Sequence, residues 1–279
     1  MIVHPCLMYT PVLRADSLHK ILPLRSGMVV LDLEDSIPPH AKDAARARLA
    51  STELADSGLR GVGLRINSIA NPDGLKDIQA LIEVAGRACG VPVRVVFVPK
   101  VATGSDVQIY RSLLAKLPNP PEICTFIETV DAVENAFDIA AVSDGLCFGQ
   151  ADLVAEMYAP NEAYLEFART RMCLAAAKYG LPAIDSNSFE LWDMDIVRQE
   201  SEAAKRTGCT GKAAIHPKQI ETITDTFAMD PAVLDEYRRT IKDYEENERG
   251  FAVTKDRVLA PPFVLKARRM IQLYDKAAD

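Results

Sequence analysis

The sequence has few aromatic residues and no excess of basic ones. Phe, Trp and Tyr make up 6% of the 279 residues, and the formal net charge is −7. Nucleic-acid-binding proteins usually carry a basic surface, so this charge balance argues against such a partner. No apolar run approaches the roughly 20 residues of a membrane span. The first residues, MIVHPCLMYTPVLR, lack the basic and long apolar segments of a signal peptide. We therefore expect a cytoplasmic protein that binds neither nucleic acid nor membrane.

The cysteine pattern excludes a further class. None of the six cysteines forms a CxxC pair, which argues against a zinc ribbon. Cys124 and Cys147 lie within apolar runs, where a thiol is expected to act as a small core side chain. Reduced thiols are also typical of a cytosolic chain. The glycine-rich signatures of dinucleotide and P-loop sites do not follow the first apolar run, so the usual nucleotide sites are missing.

What the sequence does have is a repeating order of short apolar runs and longer amphipathic stretches. The runs are rich in Val, Ile, Leu and Phe, as in strands buried on both faces of a parallel sheet. The apolar runs are residues 6–12, 28–35, 61–67, 93–101, 122–129, 145–149, 181–187 and 212–217. Helical patterns occupy residues 40–56, 130–141, 163–179 and 195–207, and in the first of these Ala and Leu oppose Lys, Asp and Arg. Gly180 and Gly208 follow the last two as C-terminal stops.

The alternation of strand and helix predicts an α/β fold with a parallel sheet. Eight units in about 220 residues favour a (β/α)8 TIM barrel, and an open doubly wound sheet is the alternative. We expect the barrel to span residues 1–228. The all-helical pattern of residues 229–279 predicts a C-terminal helical extension that acts as a lid or as an arm in a homo-oligomer, of which a trimer is one form.

Ionisable residues follow the apolar runs, at the strand ends where a barrel carries its catalytic groups. Every unit supplies at least one, at intervals close to one strand–helix unit. They are Arg14, Glu34 with Asp35, Arg65, Lys100, Glu128, Asp152, Asp185 and His216. Oxygen ligands without thiolates favour Mg²⁺, with Mn²⁺ as the alternative, over zinc.

Glu128 and Asp152 are therefore the candidate metal ligands, since they follow neighbouring strands. The alternative is that both are carboxylates favoured by a helix start. The planar fork of Arg65 suits the carboxylate of a small oxo or hydroxy acid, and an internal ion pair with Glu34 is its alternative. Asp32 shares a strand face with Glu34 and is expected to be structural or to lie behind the site. The rim residues Lys100, Asp185 and His216 are expected to be structural partners of the carboxylates.

At these residues the sequence resembles the citrate lyase β-subunit-like branch of the HpcH/HpaI aldolase family. The resemblance runs from about Leu7 to the last helical pattern. The matching stretches are LDLEDSIPPHAKDAAR (31–46), LRINS (64–68), VPKV (98–101), FIETVDAVENAFDIAA (126–141), FGQADLVAEM (148–157), PAIDSNSFELWD (182–193) and GCTGKAAIHPKQI (208–220). It implies a (β/α)8 barrel, a Mg²⁺ ion and carbon–carbon lyase chemistry on β-hydroxyacyl thioesters, such as citryl, malyl or citramalyl groups carried on CoA or an acyl carrier protein.

The resemblance also implies roles for single residues. Glu128 and Asp152 match the residues that bind the metal, and Arg65 matches the arginine that grips the substrate carboxylate. The remaining matches are Glu34 and Asp35, acidic residues of the metal's outer shell that we take with Arg65 as catalytic candidates, and Arg14, an arginine near the substrate.

Two departures from the family pattern bear on function. Relatives often read G-A-E-D-L where this chain has Gly149 to Leu153 with Gln150 and Ala151, so one carboxylate near the metal is missing. Thioester-active relatives often carry an acid–base Asp before the last helix, and the matching residue here is Ala260. We expect a Mg²⁺-dependent lyase or aldolase of a β-hydroxy acid carried as a CoA thioester. The alternatives are an aldolase of a free oxo acid (pyruvate, glyoxylate or oxaloacetate) and a non-catalytic scaffold subunit.

Overall fold

All eight apolar runs form parallel strands of one closed barrel, which confirms the predicted (β/α)8 fold and excludes the open sheet. The computed structural model describes residues 4–14, 27–49, 61–85, 92–159, 161–246, 252–253 and 258–274. Within these ranges the strands are β1 (Cys6–Pro11), β2 (Met28–Asp32), β3 (Val62–Arg65), β4 (Val93–Val98), β5 (Glu122–Ile127), β6 (Gly145–Phe148), β7 (Ala183–Asp185) and β8 (Gly211–Ala214). The barrel closes where Leu7 of β1 pairs with Ala213 of β8.

Helices alternate with the strands, as the patterns predicted. In the barrel they are α1 (Lys42–Leu49), α2 (Pro72–Ala85), α3 (Gly104–Leu114), α4 (Val130–Glu134), α5 (Ala136–Ala140), α6 (Gln150–Ala155), α7 (Glu162–Tyr179), α8 (Met194–Thr207) and α9 (Gln219–Phe227). The predicted helix over 130–141 is two short helices that meet at Asn135, whose side-chain amide donates to the carbonyl of Ala102 at 2.9 Å. Gly180 and Gly208 end α7 and α8 with φ of +67° and +117°, a conformation that favours glycine.

Two apolar layers hold the barrel together. Side chains alternate along each strand, so that one set fills the interior and the other packs beneath the helices. The interior set includes Tyr9, Phe97 and Phe126, together with Cys124 and Cys147, which are core residues as predicted. A larger outer set, with Leu31, Leu64 and Phe148 among its members, joins strands to helices. This packing fixes the strand ends, on which the candidate site depends.

The described residues divide into two compact units between Phe227 and Ala228. The second unit contains α10 (Pro231–Glu245), α11 (Pro261–Tyr274) and a short antiparallel pair, β9 (Ala252–Val253) with β10 (Val258–Leu259). Its two helices pack together, and Arg268 of α11 pairs with Glu245 at 2.8 Å. A C-terminal helical extension is therefore present. Across the described residues, no helix combines the length and the apolar character that crossing a bilayer requires.

Candidate functional site

Most of the predicted site residues meet at the carboxyl ends of strands β2 to β6. Glu34 and Asp35 follow β2, Arg65 is the last residue of β3, and Lys100 comes two residues after β4. Glu128 follows β5, and Asp152 lies in the first turn of α6, after β6. Ion pairs join Glu34, Asp35 and Asp152 through Arg65 and Lys100. We refer to Glu34, Asp35, Glu128 and Asp152 as the carboxylate cluster.

Three other predicted rim residues have a different setting. Arg14 lies with an exposed side chain in the 3-10 turn after β1. Asp185 is buried and pairs with Lys212 at 2.6 Å and with Arg169 at 2.8 Å, so it serves as an internal ion-pair partner. His216 accepts a hydrogen bond at Nδ1 from the backbone of Lys218 in the turn before α9.

The fork of Arg65 is bound to an aspartate of its own chain. Its Nε and Nη2 donate to the two carboxylate oxygens of Asp32, each at 2.7 Å, and its Nη1 lies 3.0 Å from Glu34 Oε2. The rings of Tyr9 and Phe126 lie 5.5 and 5.9 Å from the guanidinium carbon. Burial alone would raise the pKa of Asp32, but the hydrogen bonds and charge of Arg65 outweigh it and lower that pKa. Arg65 thus forms the internal ion pair with Glu34 that was the alternative to substrate binding, and its bidentate edge is directed to Asp32.

Lys100 contacts more of the cluster than sequence reasoning suggested. Its ammonium lies 2.9 Å from Glu34 Oε1, 3.8 Å from Asp35 and 3.7 Å from Asp152. Burial alone would lower the pKa of Lys100, but the Glu34 carboxylate outweighs it, and the pKa is raised. The side chain is therefore a permanent cation at the barrel mouth. Its place in the strand-end series was the available sequence signal.

Glu128 is the most deeply buried member of the cluster, with 2% of its surface exposed. The backbone N–H of Lys100 donates to its Oε1 at 2.7 Å. Its carboxylate packs against Gly149, where a Cβ would overlap Cβ and Oε2 of Glu128. Burial, followed by the negative charges of Glu34 and Asp152, raises the pKa of Glu128 to about 8. Burial and the two neighbouring carboxylates therefore favour the protonated form of Glu128, and a cation bound beside it would oppose both effects.

This donor set fits a magnesium ion. Asp32 and the carboxylate cluster supply five carboxylates. Among the described residues, only two cations, Arg65 and Lys100, form the ion pairs that join them. Mg²⁺ prefers oxygen ligands and is commonly bound through one or two carboxylates, with water and substrate completing its shell. In the part of the chain that the structure describes, no three His, Cys, Asp or Glu side chains are grouped to hold a metal. A site on Glu128 and Asp152 would accordingly rely on other oxygens.

A buried polar network that sequence reasoning missed holds the loops after β2 and β3. Lys42 Nζ donates to the carbonyls of Leu33 and Glu34 and to Asn67 Oδ1, each at 2.7 Å. Asn67 in turn bonds Asp77, which accepts from Arg46 at 2.9 Å. The amphipathic pattern of 40–56 set Lys and Arg apart from the apolar residues, but Lys42 and Arg46 are buried. Residues 50–56 of that pattern lie outside the described residues.

Comparisons with known proteins agree with this fold. Residues 6–217 match the family described as HpcH/HpaI aldolase/citrate lyase. The chain is 30% identical to a (3S)-malyl-CoA thioesterase of Cereibacter sphaeroides, over 96% of this chain and 94% of that protein. It is 24% identical to the mitochondrial citramalyl-CoA lyase of Rattus norvegicus, over 95% of this chain and 84% of that one.

Solved structures of relatives share the fold. The protein CitE from Mycobacterium tuberculosis, in complex with magnesium and pyruvate, superimposes with a TM-score of 0.68 at 25% identity. The match covers 85% of this chain and 97% of that one. At the level of the family, the expectation of a carbon–carbon lyase is confirmed. The chain therefore belongs to the HpcH/HpaI aldolase/citrate lyase family, as its motifs predicted.

Proposed function

We propose that this protein is a Mg²⁺-dependent carbon–carbon lyase that cleaves or forms a β-hydroxy acid carried as a CoA thioester. The observation that carries the proposal is the carboxylate cluster at the barrel mouth, with its excess of negative charge and its two fixed cations. A CoA thioester is supported by the names of the relatives, which act on malyl-CoA and citramalyl-CoA.

In this proposal Glu128 and Asp152 hold the metal. Mg²⁺ bound there would polarise the hydroxyl and carboxylate oxygens of the substrate as a Lewis acid, and Mn²⁺ would be an alternative ion. The Lys100 amide holds Glu128 Oε1 at 2.7 Å, so that this carboxylate is already oriented. Because Arg65 is fixed by Asp32 and two rings, it contributes a charge of fixed position to the binding of an anionic acid.

Proton transfer is assigned to Asp35. Retro-aldol cleavage removes a proton from the β-hydroxyl, so its acceptor must be reachable by substrate. Both oxygens of Glu34 are held by cations, Oε1 by Lys100 at 2.9 Å and Oε2 by Arg65 at 3.0 Å, and the side chain is buried. Asp35 has 57% of its side chain exposed, and its nearest cations are 3.6 and 3.8 Å away. Asp35→Asn should therefore reduce turnover more than substrate binding.

A second candidate activity is hydrolysis of the thioester. It is favoured by the name of the malyl-CoA thioesterase, which is 30% identical to this chain over 281 residues. The two activities differ in their products, since cleavage yields a shorter acyl-CoA and an oxo acid, whereas hydrolysis yields a free thiol. An aldolase acting on a free oxo acid is the remaining alternative, and it agrees with the pyruvate bound to CitE.

The test is to incubate the purified protein with malyl-CoA or citramalyl-CoA and Mg²⁺. The oxo acid is measured with a hydrazine reagent and free CoA with a thiol reagent. We expect oxo acid without a matching rise in thiol, and loss of activity in EDTA or in Glu128→Gln. The matched control is Glu166→Gln, an exposed glutamate on α7. Equal activity in Glu128→Gln would refute the metal site, and thiol release without oxo acid would favour the thioesterase.

A further inference from the structure

Lys100 has an unusual backbone as well as an unusual position. Among the non-glycine residues that the structure describes, it is the one with a positive φ, +53°. A left-handed conformation costs an L-residue free energy, and such positions persist where the surrounding structure holds them. Here that conformation accompanies the N–H bond to Glu128 Oε1, while the side chain of the same residue turns to three other carboxylates.

Asp152 is a proposed metal ligand that also lies near a cation of the protein, the ammonium of Lys100. Its Oδ1 lies 3.7 Å from the Lys100 ammonium, and both side chains are partly exposed, at 36% and 42%. Arg65, the other cation of the cluster, is instead directed to Asp32, Glu34 and Asp35. Lys100 is thus the cation that shares a carboxylate with the proposed metal position.

We propose that Lys100 sets the divalent-cation affinity of the site, because its ammonium competes with the metal for Asp152 while its amide keeps Glu128 oriented. Two positive charges near one carboxylate repel each other, so the ammonium weakens metal binding. In exchange, it neutralises part of the charge of Glu34, Asp35 and Asp152. The expected consequence is a metal that exchanges readily.

The direction in which metal affinity changes when Lys100 is replaced distinguishes this role from a purely structural one. If Lys100 only holds the loops in place, removing its charge disorders the carboxylates and weakens metal binding. If it competes for Asp152, removing its charge strengthens binding. Lys100→Met retains most of the side-chain length and the backbone amide, and Lys100→Gln is a second uncharged variant in case the first does not fold.

The experiment measures binding of Mn²⁺ by electron paramagnetic resonance and of Mg²⁺ by calorimetry, without substrate. We expect the dissociation constant to fall on the order of tenfold in Lys100→Met and Lys100→Gln. The control is Lys116→Met, since Lys116 is exposed in the turn before β5, at the opposite end of the barrel, and should leave the constant unchanged. Weaker binding, or a change under twofold, would overturn the inference.

This inference rests on the proposed metal ligands, and Glu128→Gln separates the two failures. If the wild type shows no binding that Glu128→Gln abolishes, the metal assignment is wrong and the role of Lys100 falls with it. If binding depends on Glu128 but does not tighten in the Lys100 variants, the metal site stands and only the competition is wrong.

Discussion

Replacing Gly149 by alanine should damage the candidate metal site although no charged residue is substituted. Gly149 has φ of −105° and ψ of 74°, so an alanine there would not need a left-handed backbone. The added Cβ, however, would overlap Cβ and Oε2 of Glu128 and come within 3.3 Å of its Cδ. Because Glu128 is buried, its carboxylate or the turn into α6 must move.

The size of the effect follows from this overlap. Inserting a methyl group into a well-packed site typically costs about 1–3 kcal/mol, and each kcal/mol lowers Tm by roughly 2–4 °C in domains of 150–250 residues. Displacing a metal ligand through its neighbours typically costs about 10–100-fold in metal affinity. We expect Gly149→Ala to show both losses, measured by urea unfolding and by Mg²⁺ titration.

The matched control is Gly180→Ala at the end of α7. Gly180 has φ of +67° and open space around its Cβ position, so its substitution strains the backbone without a clash. It should cost about 1 kcal/mol of stability and leave Mg²⁺ binding unchanged. If Gly149→Ala retains wild-type metal affinity and unfolding free energy, Glu128 is not held as the structure indicates, and the reasoning fails.

Three further predictions concern other residues. Arg65→Lys breaks the bidentate pair with Asp32 and should lower the unfolding free energy by about 1–3 kcal/mol. A loss confined to kcat/KM, with the unfolding free energy unchanged, would instead favour a direct contact between Arg65 and the substrate carboxylate. Burial lowers the pKa of His4 to about 4, so the native state excludes a proton that the unfolded state accepts below pH 6.5. The free energy of unfolding is therefore not lowered by this group above pH 6.5, and it falls as the pH approaches 4, by up to about 3 kcal/mol. His4→Gln should flatten that slope in urea titrations between pH 7 and 4, and an unchanged slope would exclude His4. Finally, the unmodified protein should make little malyl-CoA or malate from acetyl-CoA and glyoxylate, because Ala260 cannot act as a base, which typically contributes 10²–10⁴-fold. Ala260→Asp should raise that synthesis in a Mg²⁺ assay. Robust synthesis by the wild type would contradict the reasoning that the alanine at position 260 removes the base for this reaction.

The sequence by itself determined the barrel and the strand ends at which most of the candidate site residues lie. Apolar runs such as 28–35 and 93–101 were recognisable because strands buried on both faces need continuous apolar residues, which is a local property of the chain. Gly180 and Gly208 marked helix ends because few other residues adopt a positive φ at low cost. Parallel strands bring their carboxyl ends to one side, so the neighbourhood of Glu34, Lys100 and Glu128 followed from their order along the chain.

Only the tertiary structure decided which charge faces which. The sequence left Arg65 to a substrate carboxylate or to an internal ion pair, and the structure places its fork on Asp32. Lys42 lies buried on three oxygen atoms, although its helical pattern set it with the polar residues. A buried cation is stable only when carboxylates or carbonyls from other strands surround it, and these contacts join residues far apart in the chain. Sequence periodicity reports whether a segment is apolar on one side. It carries no information on which of several carboxylates, a few ångströms apart, lies closest to an ammonium such as that of Lys100.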